Sequence, residues 1–320
     1  MLVLCLGVLT LLEGCIFETK PAGTQKQVVL AGAAGQKLLP ELVQAYNAGG
    51  HKYMFQYQPD STKAFDCYLG TRNNLQVLVQ QGKLAPLNMK DNVVPLSLKD
   101  EQGLWYGVFY DPVVFLVNHQ FARKQGQEQV TDWYALPNLK NTRLIVENLN
   151  DSASTKDFLA ALASHMGQEA CLQYFQSLQP LLGTFGKFPI TSIRMVAGGD
   201  ADVALTRSSF VAPYLESNFP AYVQVPEGGT PVTLYAFGKA KDSQEQAAVA
   251  DFLNWILTSE QAQQIIQPAG FYPLSAGNVQ EISRKLWLNT FYKDTQAVDK
   301  LVDVWVKTIR LGTTTTEVKK

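Results

Sequence analysis

Trp105-Tyr106-Gly107-Val108-Phe109-Tyr110-Asp111-Pro112-Val113-Val114-Phe115-Leu116-Val117-Asn118-His119-Gln120-Phe121 is the stretch around which this 320-residue chain is organised. Asp111-Pro112 is a stiff mark within it, because proline fixes its own φ and pushes the preceding residue into extended geometry. Val113 to Val117 is then an unbroken apolar run rich in β-branched residues, the pattern of a strand buried on both faces. Asn118 closes the run with a turn-forming side chain. The stretch is therefore expected to carry the chain out of one structural unit and deliver it to another.

Length agrees with that expectation, since 320 residues exceed what one core usually holds and two lobes are the natural division. The hydrophobic fraction of 46% and charged fraction of 17% fit a globular protein. A net charge of −1 leaves no basic surplus for sequence-independent binding of nucleic acid. After the first residues, no stretch approaches the roughly 20 apolar residues needed to span a bilayer.

Residues 1–12 are almost wholly apolar and too short to span, as the hydrophobic region of a secretory signal would be. Leu12-Glu13-Gly14-Cys15 resembles the lipobox of bacterial lipoproteins, in which residues 1–14 would be the signal and Cys15 the acylated residue. Glu13 and the lack of Lys or Arg ahead of the apolar run depart from that pattern. Residues 15–26 form a polar tether. Cys67 and Cys171 have no C-x-x-C spacing and read as buried small hydrophobes. His51, His119 and His165 are scattered without metal-ligand spacing, so neither a metal site nor a cofactor is expected.

Residues 27–30 read as a strand, followed by the small-residue turn Ala31-Gly32-Ala33-Ala34-Gly35 and a helix over 38–47. In such a turn, backbone N–H groups at Ala33, Ala34 and Gly35 can approach a ligand closely. Strands over 52–58 and 65–70 follow, then Thr71-Arg72-Asn73 and a helix over 74–81 closed by Gly82. Strands alternating with helices, with ligand-type residues at the strand ends, are the grammar of an open α/β sheet. Beyond the crossing, Asp151-Ser152-Ala153-Ser154-Thr155 precedes a periodic helix over 158–166, with Ser and Asp as candidate caps and a helix-dipole anion seat. Further helices are expected over 169–179 and 190–197, and a strand over 202–205 that ends in Thr206-Arg207-Ser208-Ser209. After a strand over 222–225 comes the turn-dense Val225-Pro226-Glu227-Gly228-Gly229-Thr230-Pro231, then a strand over 233–237. Helices over 246–257, 260–267 and 298–309 complete the chain, the first with a strong helical apolar period.

In this order, Trp105 to Asn118 as a first crossing, Val225 to Pro231 as a return, Gly199-Asp200-Ala201-Asp202-Val203-Ala204, and Leu257-Thr258-Ser259-Glu260-Gln261-Ala262-Gln263 before Gly270-Phe271-Tyr272-Pro273 make a recognisable set. The chain resembles the solute-binding proteins of bacterial ABC importers, in the subgroup containing ferric-iron, polyamine and phosphonate binders. The resemblance implies an α/β, two-lobed periplasmic binding protein-like fold of type II, each lobe an open mixed sheet flanked by helices and joined by two crossing strands. The expected lobes are 27–114 with 230–275, and 115–229, with 276–320 a helical tail packing on them. It further implies capture of a small polar or anionic solute in an interlobe cleft by hinge closure, and delivery to the membrane subunits of an ABC permease. The implied setting is the periplasm or the outer face of the cytoplasmic membrane, as a monomer held by its lipid anchor.

Ferric-iron members of the subgroup carry paired Tyr after the strand matched here by residues 202–205, where this chain has Thr206-Arg207-Ser208-Ser209-Phe210. A hard trivalent cation wants several anionic oxygens, and Arg207 would oppose it. Arg72 and Arg207, with the hydroxyls of Thr71, Ser152, Ser154, Thr155, Ser208 and Ser209, suit a phosphonate, another oxyanion or a carboxylate. Tyr106 and Tyr110 are candidate aromatic walls, with core and hinge roles equally open. Ferric or chelated iron is the alternative ligand. A secreted α/β enzyme is a remoter reading, for the chain lacks G-x-S-x-G, a P-loop and a dinucleotide fingerprint.

Overall fold

The computed structural model describes residues 27–35, 37–89, 94–124, 130–215, 218–274 and 282–312. The expected signal, Cys15 and the tether lie outside the described residues. The first half contributes strands β1 (Gln27–Gly32), β2 (Met54–Gln58), β3 (Cys67–Thr71), β4 (Leu84–Ala85) and β5 (Tyr106–Asn118), with helices α1 (Leu38–Ala48), α2 (Arg72–Gln80) and α3 (His119–Lys124). Then come β6 (Leu144–Glu147), α4 (Ala153–Met166), α5 (Gln168–Leu178), β7 (Leu182–Gly186), α6 (Pro189–Gly198), β8 (Val203–Arg207), α7 (Ser208–Val211) and β9 (Ala221–Gln224). The chain continues through β10 (Thr230–Ala240), α8 (Gln246–Thr258), α9 (Glu260–Ile266), β11 (Tyr272–Pro273), β12 (Leu286–Trp287) and α10 (Thr295–Trp305).

The strands run in the order β2-β1-β3-β10-β5-β8-β6-β7. β5 belongs to both halves. Tyr106 to Pro112 pair antiparallel with β10, whereas Val113 to Asn118 pair with β8 and β9. The return is made between Gln224, the end of β9 beside β5, and Thr230, the start of β10. Thr230 Oγ1 donates to the Val113 carbonyl at 2.6 Å, so the two crossings are bonded to each other. Pro112 does not start the strand, as its stiffness alone suggests; the strand runs straight through it. Its missing N–H falls where β5 changes partners, and there the loss to the ladder is small.

Each half has its own apolar interior. Leu30, Leu42, Phe109, Phe237 and Phe252 belong to the first. The second half has two: Phe115, Trp133, Leu159, Phe175 and Trp305 on one sheet face, and Leu116, Ile145, Val196 and Ala204 on the other. That explains the apolar run in β5. Val113, Phe115 and Val117 feed one interior and Leu116 the other, so strand alternation is silenced by burial on both sides. The C-terminal segment touches both halves: Leu286 enters the first core, while Trp287 and α10 (Leu301, Val302, Trp305) enter the second. Cys67 and Cys171 are buried free thiols, and burial pushes Cys171 up to about 12.

Helix α2 and strand β7 depart from the sequence reading. Helix α2 begins at Arg72, capped by Thr71 accepting from Asn74 N, so Arg72 lies in a helix rather than a loop. Strand β7 carries no strand signal, because its apolar residues Leu182 and Phe185 are three apart. A register shift opposite Leu144 and Ile145 absorbs Gly183, breaking the period of two.

Candidate functional site

A cavity of about 720 Å³ lies between the lobes. The first lobe contributes Gly35, Lys37 and Glu41 around the start of α1, Tyr235 of β10, Gln264 and Ile265 of α9, and Pro268, Ala269 and Phe271 after it. The second contributes Pro189, Ile190 and Ile193 of α6, with Ser209, Phe210 and Tyr214. Beside it, sharing Pro189 and Phe210, is an alcove of about 450 Å³ in the second lobe. Glu147, Asn148, Asp151, Ser152, Ser154, Thr155, Lys187 and Phe188 line the alcove. Between them the two spaces offer an apolar, aromatic wall and a polar recess, the usual make-up of a small-molecule site.

The approach of the lobes is limited at Gly270. At its φ of +81° a Cβ would stand 2.6 Å from the Ser208 carbonyl oxygen and 2.7 Å from Ser209 Cα, so the lobes meet backbone to backbone there. Nearby, Tyr235 stacks on Phe109 and meets Phe271 edge-on, each at 5.2 Å. Burial, with Asp111 next, raises the Tyr235 phenol well above its ordinary range.

The recess is organised by the start of α4. Ser152 Oγ accepts from Thr155 N and Thr155 Oγ1 accepts from Ser152 N, each at 3.1 Å, a reciprocal cap. Ser154 Oγ lies 3.0 Å from Ser152 Oγ. Capping therefore occupies much of the hydrogen-bonding capacity of Ser152 and Thr155. Helix geometry leaves the N–H groups of Ala153 and Ser154 without intrahelical partners at the same place.

Beneath the recess, Arg207 is 4% exposed at the end of β8 and donates from Nη1 to Thr233 Oγ1 and from Nη2 to the Ser154 carbonyl. It lines neither space. Its charge instead faces two buried carboxylates. Burial raises the pKa of both Asp111 and Glu147, and in each case Arg207 is the largest opposing influence. Asp111 accepts from the Ser209 N–H at 3.1 Å and its hydroxyl at 2.6 Å, and Glu147 accepts from Thr206 Oγ1 at 2.9 Å. The Asp151 carboxylate accepts from Asn148 Nδ2 at 2.6 Å.

Of the residues singled out in the sequence, Gly35, Ser152, Ser154, Thr155 and Ser209 come together around these two spaces. The others do not line them. Ala33 donates its N–H to the Leu69 carbonyl and Ala34 is buried in the first core. The turn is shaped by Gly32, where a Cβ would fall 1.8 Å from the Leu69 oxygen; close strand packing, not ligand approach, requires that glycine. Thr71 caps α2. Tyr106 donates its hydroxyl to the Leu87 carbonyl at 2.7 Å, inside the first lobe. Tyr110 stacks on Tyr272 at 5.5 Å, and Ser208 hydrogen-bonds the Tyr272 side chain. Arg72 sits under the C-terminal segment, its guanidinium 4.0 Å from the Tyr292 ring centroid. Lys37, Glu41, Lys187, Ile190, Ile193, Tyr214 and Tyr235 line the two spaces without any motif to mark them in the sequence. Phe210 has the one available signal, following Ser208-Ser209 directly. Among the described residues, no three His, Cys, Asp or Glu side chains converge to hold a metal ion, and no helix is long and apolar enough to cross a membrane.

Residues 66–291 match the family model described as bacterial extracellular solute-binding protein. Iron uptake protein A1 of Synechocystis sp. is 24% identical over 224 residues, which is 65% of this chain and 60% of that protein's length. The fold is shared with AfuA from Actinobacillus pleuropneumoniae, solved with fructose-6-phosphate, at a TM-score of 0.64 and 18% identity over 89% of this chain and 99% of that one. It is shared too with iron-bound HitA from Pseudomonas aeruginosa, at a TM-score of 0.68 and 15% identity over 87% and 98%. The type II, two-lobed arrangement is thus the one expected from the sequence.

Proposed function

The chain belongs to the bacterial extracellular solute-binding proteins, and we propose that it captures a small organic anion between its lobes and hands it to an ABC permease in the membrane. The jaws in this reading are 27–114 with 230–275, and 115–229. The observation that carries it is the paired character of the site. An anionic head, phosphonate, phosphate or carboxylate, is received at the start of α4 beside Lys187, with the Arg207 charge beneath. The organic remainder rests on Ile190, Ile193, Phe210 and Phe271. The three nearby carboxylates, Asp111, Glu147 and Asp151, each already accept a hydrogen bond from within the protein. No bond to the solute is made or broken; its preference for the closed form shifts the lobes toward closure.

The two relatives named for iron favour a second reading, ferric or chelated iron. Against bare ferric ion stand the Arg207 charge beneath the recess and the lack of a Tyr pair in Thr206-Arg207-Ser208-Ser209-Phe210. A third solute class, an amine, is suggested by Glu147 and Asp151 facing the same recess as Phe188 and Phe210. A thermal-shift screen separates them, since a ligand at 100 times its Kd stabilises the fold by about 2.7 kcal/mol. Stabilisation by sugar phosphates, phosphonates or sugar acids is the expected result. Stabilisation by ferric citrate or polyamines alone would overturn the anion reading.

Export and anchoring through Cys15 complete the proposal. Cys15→Ser is expected to release the protein from the membrane fraction while leaving solute binding intact. Unchanged membrane retention would refute the anchor.

A further inference from the structure

Arg72 is 6% exposed, and among the described residues no carboxylate forms an ion pair with it. Its Nη2 donates to the Asn289 carbonyl at 2.5 Å, its face lies on Tyr292, and its Nε is buried without a partner. The nearest carboxylate influence is Asp157, whose oxygens already accept from Asn73 and Asn289 on one side and Thr233 on the other. Arg72 is thus a buried cation with an unmet donor, its charge offset at a distance by Asp157.

Arg72 also borders a cavity of about 280 Å³, distinct from the interlobe cleft and sharing no lining residue with it. Ser97, Lys99, Trp105, Thr290, Tyr292 and Lys293 border it too. Trp105 Nε1 is a second buried N–H without a partner. Asp100 and Glu101 stand at the same rim, but Asp100 Oδ1 accepts the N–H groups of Gln102 and Leu104 at 3.0 and 3.2 Å and Glu101 is exposed.

The geometry points to a second ligand site here, taking a small oxyanion on the Arg72 guanidinium between the 96–101 loop and the C-terminal segment. A guanidinium bordering the cavity, whose planar edge matches carboxylate or phosphate, and two lysines at the mouth define that chemistry, with the buried Arg72 Nε and Trp105 N–H behind the wall. The site stands whether or not the cleft binds an anion.

The test follows the Trp105 indole N–H signal in ¹⁵N-correlation spectra, identified by its loss in Trp105→Phe, as inorganic phosphate is added at constant ionic strength; acetate is titrated in a second arm. A saturable shift is expected, with the phosphate Kd raised about tenfold in Lys99→Gln/Lys293→Gln and unchanged in Ser152→Ala, which alters only the cleft. Saturation by acetate but not phosphate would make the site a carboxylate site. No shift in either arm, a shift matched by chloride, or one insensitive to the lysine pair would overturn the proposal.

Discussion

Arg207 reads from the sequence as a ligand contact, but it serves the site from one layer down. It is a buried cation bonded to Thr233 and to the Ser154 carbonyl and balanced by Asp111 and Glu147. Removing it would leave two buried carboxylates uncompensated, so Arg207→Ala is expected to cost about 3 kcal/mol in denaturant unfolding, as well as weakening solute binding. Glu147 gives a pH test. Its folded pKa lies above the ordinary 4.5 because burial penalises the charged form. Folding therefore favours the protonated acid, and the associated stability is present at low pH and lost as pH rises through the raised value. Glu147→Gln keeps an acceptor for Thr206 and cannot ionise. Its stability relative to the native chain should rise between mildly acidic pH and pH 8, and a pH-independent difference would contradict burial as the cause of the raised pKa. Side-chain direction is what the sequence could not supply. Arg72 follows β3 and Arg207 ends β8, yet α2 begins two residues earlier than the helix read from the sequence and turns Arg72 away from the cleft.

At the scale of elements, the start of α4 and the turn after α9 shape the cleft. Ser152→Ala removes one half of a reciprocal cap and is expected to lower stability by about 1 kcal/mol, read as a fall in Tm. Gly270→Ala places a methyl group against Ser208 and Ser209 of the other lobe, in a backbone conformation that disfavours alanine. By wedging the lobes apart it should weaken solute binding about tenfold, and an unchanged affinity by calorimetry would show that this contact does not limit closure. Elements with a strong period are legible in the sequence: β5 from its β-branched run, α8 from its apolar face, α4 from its Ser-rich cap. The ones that are not have their signal broken locally. Gly183 is absorbed by the β7 register shift, and β12 has two residues whose apolar character reads equally well as loop packing.

For the whole molecule, the division into two lobes is carried by one strand. β5 changes partners between Pro112 and Val113, the return from β9 to β10 is bonded back to it through Thr230, and the candidate site lies beside that crossing. Phe115 is fully buried beyond the crossing, in the second-lobe core. Phe115→Ala is expected to cost about 3–5 kcal/mol in unfolding free energy without a matching loss of first-lobe packing, which near-ultraviolet circular dichroism of the separate aromatic clusters would follow. The central claim is that the lobes close on a solute held between them. The direct measurement is the distance between spin labels at Gln44→Cys on α1 and Arg194→Cys on α6, exposed positions on opposite lobes, while the native Cys67 and Cys171 stay buried. A distance that shortens on adding the stabilising organic anion is the result expected; a distance distribution unchanged at saturating solute would contradict closure.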